Sequence, residues 1–284
     1  HKLYSRVGNS MSNFTDFIGG GGSASFPTFF LSKSQTWVPP QDGNIMIHVI
    51  GAGGGGAGAT SNTTNSGSAG GYCKKNTLAV TTSGSFTVVI GSDGSRGRNN
   101  GSGGSGGTSS VAGTGLSSTL TATGGDGGSQ SGTVNPSAGV GSNGDVNTTG
   151  GEGGYYRGGG AVGLTGTGEA GFRDGANGWA GECDIVGDLW SSTLGQIAGG
   201  RRGVSVTTSA GSASKPSPIG NCNGEPFSGG GGVRVQSNPN PSSLAQGGDG
   251  GIGAGGGFGI NTDTTAYCNG GSGGPGIVVI QYIP

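Results

Sequence analysis

The chain has 284 residues, of which 74 are glycine, while charged residues make up 10% and hydrophobic residues 29%. So few large apolar side chains exclude a conventional core of ordinary size, and a net charge of -1 removes the long-range attraction to phosphate that nucleic-acid binding needs. No stretch approaches the roughly 20 apolar residues that cross a bilayer, so we expect neither a nucleic-acid partner nor membrane insertion. Disorder is the alternative that glycine and serine favour, but disordered chains usually carry a high net charge.

Residues 1–34 are predicted to form a separate hydrophobic segment at the start of the chain. They hold most of the phenylalanine, including the candidate attachment residues Phe14, Phe17, Phe29 and Phe30. Two interpretations remain open: a small core wrapped on the next domain, or an attachment surface for another chain. The remaining residues, 35–284, are predicted to form one glycine-rich β/polyglycine II domain.

Short apolar runs predict four β-strands. The first begins near Ile45, and the other three cover 76–80, 85–90 and 277–283. The first strand follows a Pro-Pro-Gln-Asp-Gly turn and places apolar residues at every second position. The second and third are separated by Thr-Thr-Ser-Gly, which predicts a β-hairpin. Four strands suffice for a small sheet or sandwich.

Glycine tracts such as GAGGGGAGA and GGDGGIGAGGGFG separate these strands, and neither a helix nor a central strand tolerates so much glycine. Glycine does permit the polyproline II conformation, which has three residues per turn, a rise of about 3.1 Å and outward-pointing backbone groups. Side by side, such helices can pair their N–H and C=O groups, and only glycine allows the close approach. The predicted fold class is therefore mainly β and irregular: a small sheet or sandwich plus a packed bundle of polyglycine II helices, with almost no α-helix.

Polar, irregular segments interrupt the tracts and are predicted to be loops, at 60–69, 129–149, 184–198, 205–228, 236–246 and 261–269. If the chain leaves the sheet at Ile50, turns in 60–69 and returns to a strand at Thr77, the first loop lies opposite the sheet. Repetition of this path would gather several loops at one end, where loops on a rigid scaffold commonly carry binding function.

Catalytic chemistry is not predicted, because the chain has only two histidines, His1 and His48. His48 lies in an apolar strand, and we expect it to face solvent or to be satisfied locally. The densest acidic patch, Glu182, Asp184 and Asp188, is interpreted as a solvated loop face and not as a carboxylate pair or calcium site. No enzymatic activity, cofactor or metal is expected.

The four cysteines lie far apart and form no C-x-x-C pair, which argues against a zinc or redox site; they are Cys73, Cys183, Cys222 and Cys268. Isolated buried thiols and one or two long-range disulfides both remain open, since four cysteines allow three pairings.

Aromatic residues in the predicted loops are candidate receptor-binding anchors, because they offer large contact area at low entropic cost. They are Tyr155, Tyr156, Trp179, Trp190, Phe227 and Tyr267, with Arg157 as an adjacent planar donor. The alternative is that these rings pack against flat faces of the glycine helices. Trp37, beside the proline turn, is expected in the core.

The segment TWVPPQDGNIMIHVIGAGGGGAG and the closing GGSGGPGIVVIQYI resemble the ends of glycine-rich domains in phage tail-fibre proteins, including receptor-binding adhesins at the fibre tips of T-even-like phages. Together they bracket residues 35–284. The resemblance implies a layered polyglycine II block that displays variable loops to a bacterial outer-membrane protein or surface glycan. It also implies an extracellular position at the distal tail-fibre tip of the virion, and attachment to a fibre shaft protein or identical subunits. The alternative function is a structural extracellular fibre or surface-matrix subunit that assembles through its N-terminal arm.

Overall fold

The structure, a computed structural model, describes residues 26–60, 64–131, 135–155, 159–160, 162–163, 166–168, 170–171, 205–209, 229–230, 232–236, 245–261 and 268–284. These residues form β-strands and extended glycine tracts, and no α-helix occurs among them. Within the same ranges, no helix is long and apolar enough to cross a membrane. The predicted fold class, mainly β and irregular, is confirmed.

The strands, in chain order, are β1 (Thr28–Leu31), β2 (Gln35–Trp37), β3 (Gly43–Ile50), β4 (Gly58–Ala59), β5 (Tyr72–Val80), β6 (Phe86–Val89), β7 (Ser109–Gly113), β8 (Leu120–Ala122), β9 (Gly141–Ser142), β10 (Val146–Thr148), β11 (Ser205–Ser209), β12 (Gly232–Gln236), β13 (Ala245–Gln246), β14 (Gly259–Asn261), β15 (Cys268–Asn269) and β16 (Ile277–Ile283).

Two five-stranded antiparallel sheets form a β-sandwich, with strand orders β1-β16-β3-β5-β10 and β2-β6-β7-β8-β9. Alternate residues of β3 and β16 point between the sheets, as the sequence pattern predicts. The core contains Leu31, Trp37, Ile45, Ile47, Val49, Cys73, Leu78, Val80, Phe86, Val88, Val111, Leu120, Ala122, Val278, Ile280 and Tyr282. Trp37 is buried there as expected, and its ring lies 5.6 Å from that of Phe86.

The predicted hairpin between 76–80 and 85–90 is wrong. The turn forms, with the Gly84 amide donating to the Thr81 carbonyl at 2.8 Å, but β5 and β6 belong to opposite sheets. The turn therefore carries the chain across the sandwich. The turn residues determine only that the chain reverses direction. Which strands β5 and β6 pair with depends on how their apolar faces are buried in the sandwich.

Part of the predicted opening segment belongs to the sandwich. Strand β1 pairs antiparallel with β16, and Leu31 is buried in the core. The ring of Phe29 meets Trp37 edge-on at 5.6 Å, while Phe30 on the opposite face is 42% exposed. Phe14 and Phe17 lie outside the described residues. The described residues of the opening segment, 26–34, therefore contribute to the core of the sandwich.

The glycine tract 51–58, here called the central tract, donates hydrogen bonds with a period of three residues. Residues 52, 55 and 58 donate to the carbonyls of 107, 104 and 101, while 53 and 56 donate to 274 and 271. Residues 51, 54 and 57 donate to 71, 68 and 65. None of the central-tract glycines has a positive φ. Backbone hydrogen bonds that point in three directions per turn, together with negative φ, are the signature of a polyglycine II helix.

The central tract also accepts hydrogen bonds from three further segments. Gly94 and Gly97 donate to its carbonyls at 53 and 56, and Gly125 and Gly128 donate to those at 52 and 55. The third segment, 256–259, donates to 54 and 57. Three acceptor segments and three donor segments surround one helix, which is hexagonal packing. The core of this part of the molecule is therefore backbone.

The hydrogen bonds order the tracts in four layers: 101–108, 123–129 and 135–140 in the first; 91–98, 51–58, 65–71 and 149–154 in the second; 268–276, 253–259 and 159–160 in the third; and 245–251 in the fourth. We call these layers the glycine block. Successive tracts run alternately away from the sandwich and back, so the block extends from one end of the sandwich.

A second apolar cluster joins the glycine block to the sandwich; it contains Ile50, Ala69, Tyr72, Val162, Ala254, Ile277 and Val279. The chain turns beneath it at Gly253, whose φ is +71°. A Cβ at this glycine would lie 2.5 Å from Cγ2 of Ile50, so both the left-handed conformation and the available space require glycine.

Several predicted loops contain regular structure. Residues 65–71, which we call the return tract, belong to the second layer, and β5 begins at Tyr72, before the predicted return at Thr77. The segment predicted as a loop at 129–149 contains β9 and β10. Strands β11, β13 and β15 likewise fall in the segments 205–228, 236–246 and 261–269.

Candidate binding surface

The bends of the glycine block gather at the end away from the sandwich, here called the distal end. The amide of Gly58 donates to the Gly101 carbonyl at 3.0 Å, and Asn99 donates to Cys268 at 2.8 Å. The amide of Asn65 donates to Ser129 at 3.0 Å. These bonds join the ends of six tracts, so bends that are remote in sequence form one surface.

An Asn-Asn-Gly bend supplies an exposed part of this surface. Asn99 and Asn100 have φ values of 44° and 66°, a left-handed conformation that asparagine adopts more readily than other residues with a side chain. The Asn100 Oδ1 accepts hydrogen bonds from the Thr60 amide at 2.6 Å and the Thr60 hydroxyl at 2.9 Å. This pair fastens the bend to the end of the central tract.

Parallel strands extend the distal end. Strand β4 continues the central tract and pairs with β14, within a parallel sheet of order β11-β12-β14-β4. A shorter parallel pair, β13 and β15, lies beside it. Since β4, β13, β14 and β15 continue tracts of the block, they hold the connections that leave them on a fixed frame.

Only one of the predicted receptor-binding residues lies in the described part of the chain. Tyr155 is half-buried at the distal end, where it forms an isolated bridge with Asn65. Tyr156, Arg157, Trp179, Trp190, Phe227 and Tyr267 lie outside the described residues. The densest predicted acidic patch, 182–188, also lies outside them.

Sequence analysis did not single out the described polar groups of the distal end. They are Thr60, Arg98, Asn99, Asn100, Ser129, Gln130 and Ser131, and Ser131 is exposed with its hydroxyl 2.8 Å from that of Ser129. The dipeptide Asn99–Asn100 before glycine is a turn signal that could have identified the bend. Aromatic residues were predicted as the anchors because they contribute most of the binding energy in many protein interfaces.

His48 is buried at the base of the block, so the predicted solvent-facing alternative is wrong, and its Nδ1 has a local partner in the Tyr72 hydroxyl. Its Nδ1 lies 2.8 Å from the Tyr72 hydroxyl, and the two rings stack at 5.9 Å. Burial, followed by the nearby Lys74 charge, lowers the pKa of His48 to about 3. The imidazole is therefore neutral at physiological pH.

Two of the four cysteines are buried free thiols, Cys73 in the sandwich and Cys268 at the distal end. Burial raises the pKa of the Cys73 thiol to about 11 and also raises the pKa of Cys268, so both are protonated at neutral pH. Cys183 and Cys222 lie outside the described residues. In the ranges that are described, no group of three His, Cys, Asp or Glu residues is placed to hold a metal ion.

A family described as a glycine-rich domain matches residues 29–283, and the chain belongs to this family. The matched residues include both the sandwich and the glycine block, so the two parts together make up the glycine-rich domain. No curated protein matches the chain.

Proposed function

We propose that the chain is the receptor-binding adhesin at the tip of a bacteriophage tail fibre and that it acts by binding, not by catalysis. The observation that carries this proposal is the collection of bends at the distal end of a hydrogen-bonded block. Hydrogen bonds in all three helix directions make the block stiff, and a stiff frame lowers the entropic cost of presenting loops. The block is held together by hydrogen bonds between its tracts, so bend residues outside fastened contacts such as Thr60 and Asn100 are free to vary with the receptor.

The proposed receptor is a bacterial outer-membrane protein or surface glycan. The described distal residues are hydroxyl and amide groups, which suit hydrogen bonding to either receptor. The anchors proposed from the sequence, Trp190 and the pair Tyr155 and Tyr156, would add the aromatic contact area that such polar groups lack. The sandwich, at the opposite end, is the proposed side of attachment to the fibre.

The test is binding of the labelled full chain to a panel of bacterial strains, measured by flow cytometry. On any strain that binds, Ser131→Lys at the distal end should weaken binding roughly tenfold, or about 1.4 kcal/mol, because it places a charged side chain at the contact. Thr87→Lys is the matched control, since Thr87 is exposed on the outer face of the sandwich. Equal loss in both variants, or in neither, would contradict the proposed distal site.

A structural fibre or surface-matrix subunit is the second candidate, and one feature favours it. Strand β1 is an edge strand, and its exposed Phe30 accompanies Phe26, which is 41% exposed. An exposed edge with aromatic residues can pair with another chain. Light scattering of the full chain and of a Phe26→Ser, Phe30→Ser variant separates the candidates. Filaments that grow with concentration and are lost in the variant support this function.

A further inference from the structure

Three Asn–Gly pairs lie in the described part of the chain: Asn100–Gly101, Asn143–Gly144 and Asn269–Gly270. Such a pair can modify itself. The glycine backbone nitrogen attacks Cγ of the asparagine, its proton passes to solvent base, and the side-chain nitrogen leaves as ammonia. Water then opens the resulting cyclic imide at either carbonyl, which yields aspartate or isoaspartate. We propose that Asn100 is a site of spontaneous deamidation and that the other two pairs are protected.

The nucleophile is restrained in two of the three pairs. The Gly144 amide donates to Oδ1 of Asn147 at 2.9 Å, and the Gly270 amide donates to the Gly97 carbonyl at 2.8 Å. Each bond must break before the nitrogen can attack. In the third pair, Gly101 forms an isolated antiparallel bridge with Gly58: the Gly58 amide donates to the Gly101 carbonyl at 3.0 Å, whereas the Gly101 amide faces the Gly58 carbonyl without a bond of comparable geometry. Gly101 therefore has the least restrained nitrogen.

The electrophile is activated in the same pair. Two donors, the amide and hydroxyl of Thr60, converge on Oδ1 of Asn100 at 2.6 and 2.9 Å. Attack on Cγ moves negative charge onto this oxygen, so the two donors stabilise the tetrahedral intermediate as an oxyanion hole does. At Asn143, by contrast, the side-chain nitrogen donates to the Thr119 carbonyl at 2.9 Å, which holds the leaving group in place.

The backbone favours rearrangement at this bend. Asn100 and Asn143 both have a φ of 66°, a sparsely populated conformation for a residue with a side chain, but of the three pairs only Asn100 is also preceded by a residue with positive φ, Asn99. Rotation toward the cyclic imide therefore starts from an unfavourable conformation. Asn99 and Asn100 are both exposed, so water and base reach the bend.

Deamidation would change the distal end in one of two ways. An aspartate product still accepts both Thr60 donors and adds a negative charge beside Arg98. An isoaspartate product inserts a methylene group into the backbone and displaces Gly101 from the Gly58 amide. The modification site is independent of what the distal end binds.

The experiment compares the native full chain with the chain in guanidinium chloride, both incubated at mildly alkaline pH and mapped by peptide mass spectrometry with isoaspartate detection. In the native chain, Asn100 should react roughly tenfold faster than Asn143 and Asn269, which corresponds to about 1.4 kcal/mol of barrier. In denaturant, the three rates should converge because the local sequence is shared. Equal native rates at the three pairs would overturn the proposal.

Variants of Thr60 test the proposed activation. Thr60→Val removes one donor and should slow the reaction at Asn100 roughly tenfold, whereas Thr60→Ser keeps the hydroxyl and should retain the rate. Thr108→Val, at an exposed position in the first layer, is the control. An unfolded variant would show itself by faster reaction at Asn143 and Asn269. A folded Thr60→Val with an unchanged rate at Asn100 would contradict the role of the two donors.

Discussion

At the scale of single residues, buried serines complete the hydrogen bonding of the glycine block. Ser66, Ser68 and Ser109 have no exposed surface, and their hydroxyls accept the amides of Phe258, Gly153 and Gly91. Each hydroxyl thus supplies an acceptor where no neighbouring carbonyl does so. A buried polar group without a partner is costly, so these positions require a small side chain with an oxygen atom.

Ser68→Ala should destabilise the protein by about 2 to 4 kcal/mol. The Ser68 hydroxyl donates to the Pro136 carbonyl at 2.6 Å and accepts the Gly153 amide at 3.0 Å, so alanine leaves two buried backbone groups without a bond. Denaturant unfolding measures the change. Ser92→Ala, at an exposed position, should stay within about 0.5 kcal/mol of the parent, and a similar loss in both variants would contradict the argument.

His48 should make the protein less stable as the pH falls. Its folded pKa of about 3 lies below the ordinary value of 6.5, so the unfolded chain takes up a proton first. The stabilisation is complete above pH 6.5 and is lost toward pH 3, with a slope of roughly 1.4 kcal/mol per pH unit. Measurements between pH 6.5 and 5 isolate this effect, because the carboxylates titrate at lower pH.

His48→Gln should flatten the stability profile in that range, whereas His1→Gln should leave its slope unchanged. The chain has no other histidine, so the two variants account for all imidazole titration. The pKa of Asp145, lowered by hydrogen bonds from the Lys75 side chain and the Asn76 amide, affects stability only under more acidic conditions. An unchanged slope in His48→Gln would show that this histidine is not the group responsible.

At the scale of elements, the central tract has no room for a side chain at any of its glycines, because in each case neighbouring backbone lies where the Cβ would be. A Cβ at Gly55 would overlap the carbonyl oxygen of Ser95, and this neighbour is backbone that cannot move without displacing another tract. Gly55→Ala should therefore cost at least about 3 kcal/mol. Urea unfolding measures the loss in free energy.

Gly166→Ala is the matched control for Gly55→Ala. Among the described residues, no atom lies within 4 Å of a Cβ at Gly166, which is exposed. Alanine there reduces the entropy of the unfolded chain and should leave stability unchanged or raise it by about 0.4 to 1 kcal/mol. A comparable loss at both positions would mean that intrinsic backbone preference, and not packing between tracts, determines the effect.

The elements with a strong side-chain pattern were predictable, and those held by backbone alone were only partly so. Strand β16 was predicted with its observed bounds because its residues alternate between two buried faces. The return tract was mistaken for a loop, since four of its first five residues are not glycine. Their side chains are nevertheless buried between neighbouring tracts, and the hydroxyls of Ser66 and Ser68 accept the amides of Phe258 and Gly153 from two of those tracts. Glycine content alone does not measure the space that a tract needs.

At the scale of the whole molecule, the arrangement of the distal end followed from the sequence, but its contacts did not. Alternation between strand and tract predicts that bends gather at one end. Which bends touch depends on the layer order, and that order arises from hydrogen bonds between segments as remote as the central tract and 271–274. The Thr60 and Asn100 contact was for this reason beyond sequence analysis.

A protein whose core is largely backbone should have an unusually small heat-capacity change on unfolding. Exposure of apolar surface raises the heat capacity and exposure of polar surface lowers it, and ordinary proteins show a net value of about 12–15 cal/mol/K per residue. Unfolding of the glycine block exposes mainly amide groups, so calorimetry should give a value per residue below that range. The dependence of unfolding free energy on urea is the internal control, since it follows total exposed surface and should be ordinary for the chain length. An ordinary heat-capacity change would mean that apolar burial in the sandwich dominates the stability and that the tracts contribute little to it.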